Sequence, residues 1–478
     1  MKTIEGYNVK IFTDNIDENA LEQIKQLLSI GVFSDKKIRI MSDVHAGAGC
    51  VIGFTGDLGD KVIPNIVGVD IGCGMRVLNL GKLKDIDFHA FHEHILNNVP
   101  SGMIVREDRF GFKPLVGEEM EIYREAKRLV TELYCYRELK DSGRINKAIG
   151  SLGGGNHFIE LDKDDDGNVY LVIHTGSRNL GKQVADIYQN RAINHMTEGA
   201  DEFEEAIKRT IEEYKAAGRR SELQGVIKNM RKTRQKAEPT LPRDLCYVEG
   251  DAREEYLHDM RICQQWAVLN RKLISLLLLK FFDGISAAKA TDEIASTLAA
   301  ESIDKIASTP VVKTTDEVAS TLVVEETDEV ASTLVVEETD EVASTLVVEE
   351  FESVHNYISD DNIIRKGSIS AAKRERCIIP LNMRDGSLLC TGKGNPDWNC
   401  SAPHGAGRVL SRTQAYEQIK MEDFEASMSG IYSESINDFT RDESPMVYKP
   451  AAEIIANIGD TVNIDTIIRP IFNFKASK

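Results

Sequence analysis

Two absences narrow the chemistry open to this 478-residue chain. None of its eight cysteines pairs into a CxxC motif: Cys50, Cys73, Cys135, Cys246, Cys263, Cys377, Cys390 and Cys400 are scattered along it. That spacing argues against a zinc ribbon and against a secreted scaffold stapled by disulfides. Long apolar runs are also missing. The most apolar stretch, Leu273 to Phe282, is too short to span a bilayer and carries Lys280 inside it. The opening residues MKTIEGYNVKIF lack the basic-then-apolar layout of a signal peptide. A cytoplasmic protein with no membrane partner is the expectation. The length allows two or three domains or one large elaborated one.

Charge is the next constraint. A net charge of -19 looks hostile to a nucleic-acid partner, whose binding is driven by phosphate neutralisation. The excess is local, however. Thr291 to Glu350 holds sixteen Asp and Glu against two Lys, a net of -14, which leaves the rest of the chain at only -5. A near-neutral body can hold a basic groove. The run Arg219, Arg220, Lys228, Arg231, Lys232, Arg234 and Lys236 is locally basic, with a solvated helix face as the plain alternative.

The acidic tract is a tandem repeat. TDEVASTLVVEE occurs three times in perfect copy from Thr315 to Glu350, after two decayed copies starting at Thr291 and Ile303. As a helix, twelve residues turn through about 1200°, so successive apolar patches lie about 120° apart and form no stripe. The STLVV core has strand-like composition, and Pro310 interrupts either choice. Residues 283–350 are therefore read as an insertion peripheral to any chemistry, dividing a catalytic domain into 1–282 and 351–478.

Around the insertion, strands and helices are interspersed without βαβ alternation. Lys37–Met41, Val62–Val67, Tyr170–Ile173, Cys377–Pro380 and Ser387–Cys390 have strand patterns. Glu118–Leu139 and Arg253–Phe282 have helical length and spacing. An α+β fold built on a large mixed sheet follows.

Five segments each set a metal-type ligand beside glycine or small polar residues: GVDIGCGMR (Gly68–Arg76), SLGGGNHFIE (Ser151–Glu160), VIHTGSRNLG (Val172–Gly181), SVHNYI (Ser353–Ile358) and SAPHGAGRVLSR (Ser401–Arg412). Glycines let a metal or phosphate approach the backbone. Asp70 and Cys73 can aim at one point from a tight turn, and a thiolate can bridge two divalent ions. His157, His174 and His355 would complete a two-metal site suited to phosphoryl transfer. A single structural zinc is the competing reading, and it usually takes a Cys-rich set. The cluster His89, His92 and His94 lacks glycine neighbours and is read as a solvated helix.

These five segments, in this order, resemble the signature blocks of RtcB RNA-splicing ligases. Asp43–Gly49 (DVHAGAG), Tyr256–Arg271, Lys366–Ala371 (KGSISA) and Arg469–Lys475 (RPIFNFK) agree as well, so the likeness covers nearly everything but the insertion. The resemblance implies an RtcB-like catalytic fold with GTP and two Mn²⁺ ions as cofactors. It implies a guanylylated histidine at His404, and metal ligands at Asp70, Cys73, His157, His174 and His355. It also implies GTP contacts from Asn156, His157, Phe158, Ile159, Glu160, His355, Asn356, Pro380, Leu381, Asn382, Met383, Ser387, His404, Gly405, Ala406, Gly407 and Lys475.

The reaction so implied joins an RNA 3′-phosphate, or a 2′,3′-cyclic phosphate once opened, to a 5′-hydroxyl. A neutral imidazole is a competent nucleophile towards an activated α-phosphorus. An archease-like activator is a partner consistent with the family. Arg178, Arg408 and Arg412 suit phosphate binding, with ordinary ion-paired arginine as the alternative. Two other functions compete. A metal phosphoesterase that opens cyclic phosphates without ligating would need neither His404 nor Lys475, and a silent RNA-binding scaffold would be expected to lose ligands.

Overall fold

The computed structural model of the chain describes residues 1–106, 112–234, 238–307 and 346–476. Met1–Leu277 together with Glu349–Lys478 form one compact unit, and Leu278–Val348 a second. The perfect repeat copies fall almost wholly outside the described residues, as does Pro310. Among the described residues, no helix is long and apolar enough to cross a membrane.

The fold is α+β with two large sheets. One has six strands in the order Lys2–Thr3, Val9–Ile11, Ile38–His45, Ile52–Asp57, Ile363–Lys366 and Asn356–Ile358. It is mixed, because Val9–Ile11 pairs parallel to Ile38–His45 while its other pairs are antiparallel. The helix Glu18–Ser29 packs into the same core through Ala20, Ile24, Leu27 and Leu28, a spacing that keeps one face inward. Asp17 caps it by accepting from the Ala20 amide.

The second sheet has seven antiparallel strands: Glu349–Val354, Gly74–Asn79, Val169–Thr175, Phe158–Lys163, Val462–Phe474, Gly386–Gly392 and Arg376–Asn382. It curls until its edge strands approach, where Arg376 donates to Glu349 at 3.0 Å and lies over the Phe351 ring. The result is a nearly closed barrel. Met75, Val77, Phe158, Tyr170, Val172, Ile378, Leu389 and Ile468 fill its interior.

The strand expectations at Lys37–Met41, Tyr170–Ile173, Cys377–Pro380 and Ser387–Cys390 all match strands. Val62–Val67 does not. Only Lys61–Val62 is strand there, and Pro64–Val67 is a helical turn. Proline at the first helical position has its ring torsion preset for a helix and no amide to leave orphaned. The helix expected over Glu118–Leu139 ends at Glu132, since Leu133 is extended and a 3₁₀ turn follows at Tyr136–Glu138. The one expected over Arg253–Phe282 starts at Gly250 and runs on to Ala307. The histidine helix, Phe88–Asn98, is only partly solvated: His92 is buried, with its ring against Phe472 and Phe474.

Within the Gly250–Ala307 helix, Arg271 is wholly buried and joins three distant segments. Its guanidinium donates to the Gly72 carbonyl and the Thr175 carbonyl, each at 2.9 Å, and to Glu352 Oε2 at 2.7 Å. Gly72 must be glycine for this approach. Its φ is +71°, and a Cβ there would lie 2.8 Å from the Gln264 Cα on the same helix. Replacing Arg271 by Met should cost about 3 kcal/mol or more of unfolding free energy, because Glu352 and two carbonyls lose their partner. A denaturant midpoint within error of the parent would refute that role.

Candidate active site

The barrel mouth gathers the candidate ligand residues from four places in the sequence. Asp70 and Cys73 lie on the turn that leads into Gly74–Asn79, and the Cys73 amide donates to the Asp70 carbonyl at 3.1 Å. His157 immediately precedes Phe158–Lys163, and His174 lies in Val169–Thr175. Met75 and Phe158 flank His174 in register on either side. His355 follows Glu349–Val354, and its amide donates to the Cys73 carbonyl at 2.9 Å. Sheet pairing therefore brings together residues that are up to 285 positions apart, Asp70 and His355.

Two groups of donor atoms result. Asp70, Cys73 and His157 form one; Cys73, His174 and His355 form the other, with the ligand atoms of each lying within 4.8 Å of one another. Cys73 is shared, with its Sγ 3.5 Å from His157 Nε2 and 3.3 Å from His174 Nε2. The tautomers follow from the neighbours. His157 Nδ1 faces the Leu152 carbonyl at 2.9 Å and His174 Nδ1 the Asn156 carbonyl at 3.1 Å. A carbonyl can only accept, so each Nδ1 carries a proton; the His174 Nε2 lone pair faces the thiol, while His157 Nε2 lies 2.9 Å from Asp70 Oδ2 as well as near the thiol. Asp70 Oδ1 and His355 Nδ1 are buried without a hydrogen-bond partner among the described residues. A thiol, a carboxylate and three imidazoles arranged in this way fit a pair of borderline divalent ions.

The electrostatics agree with that use. Burial holds His174 and His355 well below the ordinary imidazole range, reinforced by the neighbouring histidines, so both imidazoles are neutral. Burial and the Asp70 charge push the Cys73 thiol well up, so a cation is what would favour its thiolate. Burial also pushes Asp70 up, but the His157 hydrogen bond and charge outweigh it and hold the carboxyl below its usual value.

His404 stands beside this cluster, with its ring centroid 4.9 Å from that of His355. Asp43, fully buried in Ile38–His45, accepts from His404 Nδ1 at 2.7 Å and from the His404 amide at 3.2 Å. Asp43 thus engages Nδ1 and not the outer nitrogen, Nε2. A cavity of ≈ 990 Å³ runs from Asp70, Cys73, His174 and His355 past His404 to Lys475.

Comparison with known proteins now decides the family. A family model described as "tRNA-splicing ligase RtcB" matches residues 23–308 and 315–476. The chain belongs to the RtcB family. The RNA-splicing ligase RtcB of Escherichia coli (strain K12) is 26% identical to it over 492 aligned positions, covering 98% of this chain and 97% of that one. The tRNA-splicing ligase RtcB of Aeropyrum pernix is 31% identical over 195 positions, covering 31% of this chain and 39% of its own.

Among the residues that the RtcB resemblance marks for GTP, Asn156, Phe158, Glu160, His355, Asn356, Pro380, Leu381, Asn382, Met383, His404, Gly405, Ala406, Gly407 and Lys475 line this cavity. His157 lies in the metal-type cluster instead. Ile159 is wholly buried and, by strand alternation, points away from the face of Phe158 and Glu160. Ser387 is buried in register with Pro380 and Ile468, off the cavity wall, and its hydroxyl has no partner among the described residues. Glu160 accepts from Asn473 at 2.5 Å, and burial pushes its carboxyl up to about 7 despite Lys475 nearby.

Two carboxylates that organise this RtcB site were missed in the sequence. Asp43 sat inside the DVHAGAG block but was assigned no role. Glu443, almost fully buried, gathers Lys475 and Arg408, each at 3.3 Å, and the Tyr448 hydroxyl at 2.7 Å. Nothing local marks it, since an acidic residue in RDESP reads as ordinary surface. Both readings of the arginines hold in part. Arg408 and Arg412 line the cavity while paired with Glu443 and Asp442. Arg178 packs instead under Gly153, where a Cβ would lie 1.6 Å from its Nη1, and reaches 3.5 Å from His157 Nδ1.

Cys73→Ser should lose most of the divalent metal measured after purification, because a neutral hydroxyl bridges two cations poorly. Cys390→Ser, buried away from the cluster, should keep it. Equal metal content in the two variants would remove Cys73 from the site.

Proposed function

We propose that this chain is a GTP-dependent RNA ligase that joins 3′-phosphate or 2′,3′-cyclic phosphate ends to 5′-hydroxyl ends through a guanylylated His404. The observation that carries this reading is the Asp43–His404 pair set against the shared-cysteine cluster at one end of a single cavity. Two divalent ions, taken as Mn²⁺, would be held by Asp70, Cys73 and His157 and by Cys73, His174 and His355, and would neutralise phosphate charge and polarise the phosphorus.

Asp43 fixes the His404 Nδ1 proton and so presents the Nε2 lone pair. His404 Nε2 attacks the α-phosphorus of GTP; an N–P bond forms, the bond to the β-phosphate oxygen breaks, and pyrophosphate leaves. The GMP is then passed to an RNA 3′-phosphate, which regenerates neutral His404. Attack by the 5′-hydroxyl of the second RNA end on that phosphate forms the phosphodiester and expels GMP. A 2′,3′-cyclic end is first hydrolysed to the 3′-phosphate.

Lys475 and Arg408, clustered around Glu443, supply cationic donors to the nucleotide phosphates, and Glu160 offers an acceptor to the base. Residues 1–282 and 351–478 make up the catalytic part in this proposal, with 283–350 a peripheral insertion.

Incubation with α-labelled GTP and Mn²⁺ tests the reading. The parent should form a protein–GMP adduct that is acid-labile and alkali-stable, as a phosphoramidate is. His404→Ala should form none while keeping its metal; an adduct at normal yield would move the nucleophile elsewhere. Asp43→Asn should keep its metal as well, yet form the adduct about 10²-fold more slowly or worse, because the imidazole loses its orienting acceptor. An unchanged rate there would reduce Asp43 to a structural residue.

A further inference from the structure

One feature of the catalytic unit takes no part in this chemistry. Between the Arg178–His195 helix and Gly250 the chain forms an arm of two helices, Ala200–Ala216 and Arg220–Arg234. Leu223, Val226, Ile227 and Met230 are partly buried along one stripe of the second helix. That stripe meets the first helix, where the Thr210 hydroxyl lies 3.8 Å from the Met230 sulfur. At 100° per residue, Lys228 and Lys232 fall on the opposite side and Arg220 and Arg231 on one flank, and all four are exposed.

Three of these cations are clustered within one turn of the helix. Some other exposed cations on or beside helices are paired: Arg128 with Glu125 and Glu132, Lys182 with Asp186, and Arg219 with Glu222. None of the four makes an ion pair with a described residue. Lys228, Arg231 and Lys232 stand at i, i+3 and i+4, a spacing at which like charges repel and weaken an isolated helix. The fold thus tolerates a repulsive stripe that its own packing does not use. A partner carrying regularly spaced negative charge relieves it.

We infer that the exposed face of Arg220–Arg234 is a docking surface for the sugar–phosphate backbone of the RNA, away from the break. The inference rests on the ligase reading for its partner. The Arg178–His195 helix starts beside His157 and spans 18 residues, about 27 Å, before the arm begins. At the ~3.4 Å per-strand spacing of stacked nucleic acid, that corresponds to about 8 nucleotides from the break. Point charges on long stems, with no aromatic among them, would grip phosphates without reading bases.

The test uses the full chain with Arg220, Lys228, Arg231 and Lys232 all changed to Gln. A second variant, Lys228→Glu with Lys232→Glu, reverses charge instead of removing it. Circular dichroism should match the parent, since no buried contact is lost. Fluorescence anisotropy is then measured with two labelled RNAs, one extending well beyond about 8 nucleotides on both sides of the break and one trimmed inside that reach. For the long RNA, Kd should rise about tenfold or more, and the slope of log K against log salt should flatten by about 3 in the four-site variant. For the trimmed RNA, Kd should stay within about twofold of the parent. The GMP adduct, which needs no RNA, should form at parental yield. Parental affinity and salt slope on the long RNA would overturn the inference, whatever else the arm binds. A parent that forms no adduct would sink the ligase chemistry instead, while the two anisotropy series would still decide the arm.

Discussion

Everything at the barrel mouth depends on one buried cation. Arg271 bonds to the residue before Cys73, to the residue after His174, and to Glu352 three positions before His355. Gly72 lies on the turn before Gly74–Asn79, Thr175 in Val169–Thr175 and Glu352 in Glu349–Val354, and Cys73, His174 and His355 stand in or beside those three strands. A guanidinium suits this task because its donors diverge in a plane and its charge survives burial. The desolvation is offset by two carbonyls and a carboxylate that would themselves be orphaned without it. Sheet register sets the spacing of the strands, and the arginine pins their ends.

The two histidine nitrogens that face backbone carbonyls extend the same logic outward. Leu152 and Asn156 lie in the glycine-rich stretch before Phe158, so that stretch orients His157 and His174 as well as carrying the first of them. Its glycines were visible in the sequence as a sign of close approach. The structure gives them a specific reason at Gly153, where the Arg178 side chain occupies the space of a Cβ.

The legibility of the site follows from this arrangement. Cys73, His157, His174, His355 and His404 could be picked out because their residue types are uncommon and their glycine or small polar neighbours unusual. Asp43 and Glu443 could not, because carboxylates are abundant and only burial distinguishes these two. Periodicity recovered the long buried helix and four strands. It failed at Val62–Val67, where a short apolar run fits strand and helix alike and the proline decided. It fails again at His92, because a polar residue in a helix reads as solvated although the facing strand brings Phe472 and Phe474 against it.

The Glu443 cluster bears on how an acidic chain can handle polyanions. Lys475 and Arg408 are largely buried, and unpaired cations there would be strongly destabilising before any nucleotide arrives. Glu443 is held ionised: burial works against it, and Lys475 and Arg408 outweigh that cost. It keeps both cations folded inward and pointed at the cavity. Its charge also opposes that of an incoming phosphate, so the cluster trades raw affinity for a set geometry. A site organised in this way does not depend on global charge to attract its ligand. That is why a net charge of -19, much of it in one acidic tract, is compatible with phosphate chemistry at the barrel mouth.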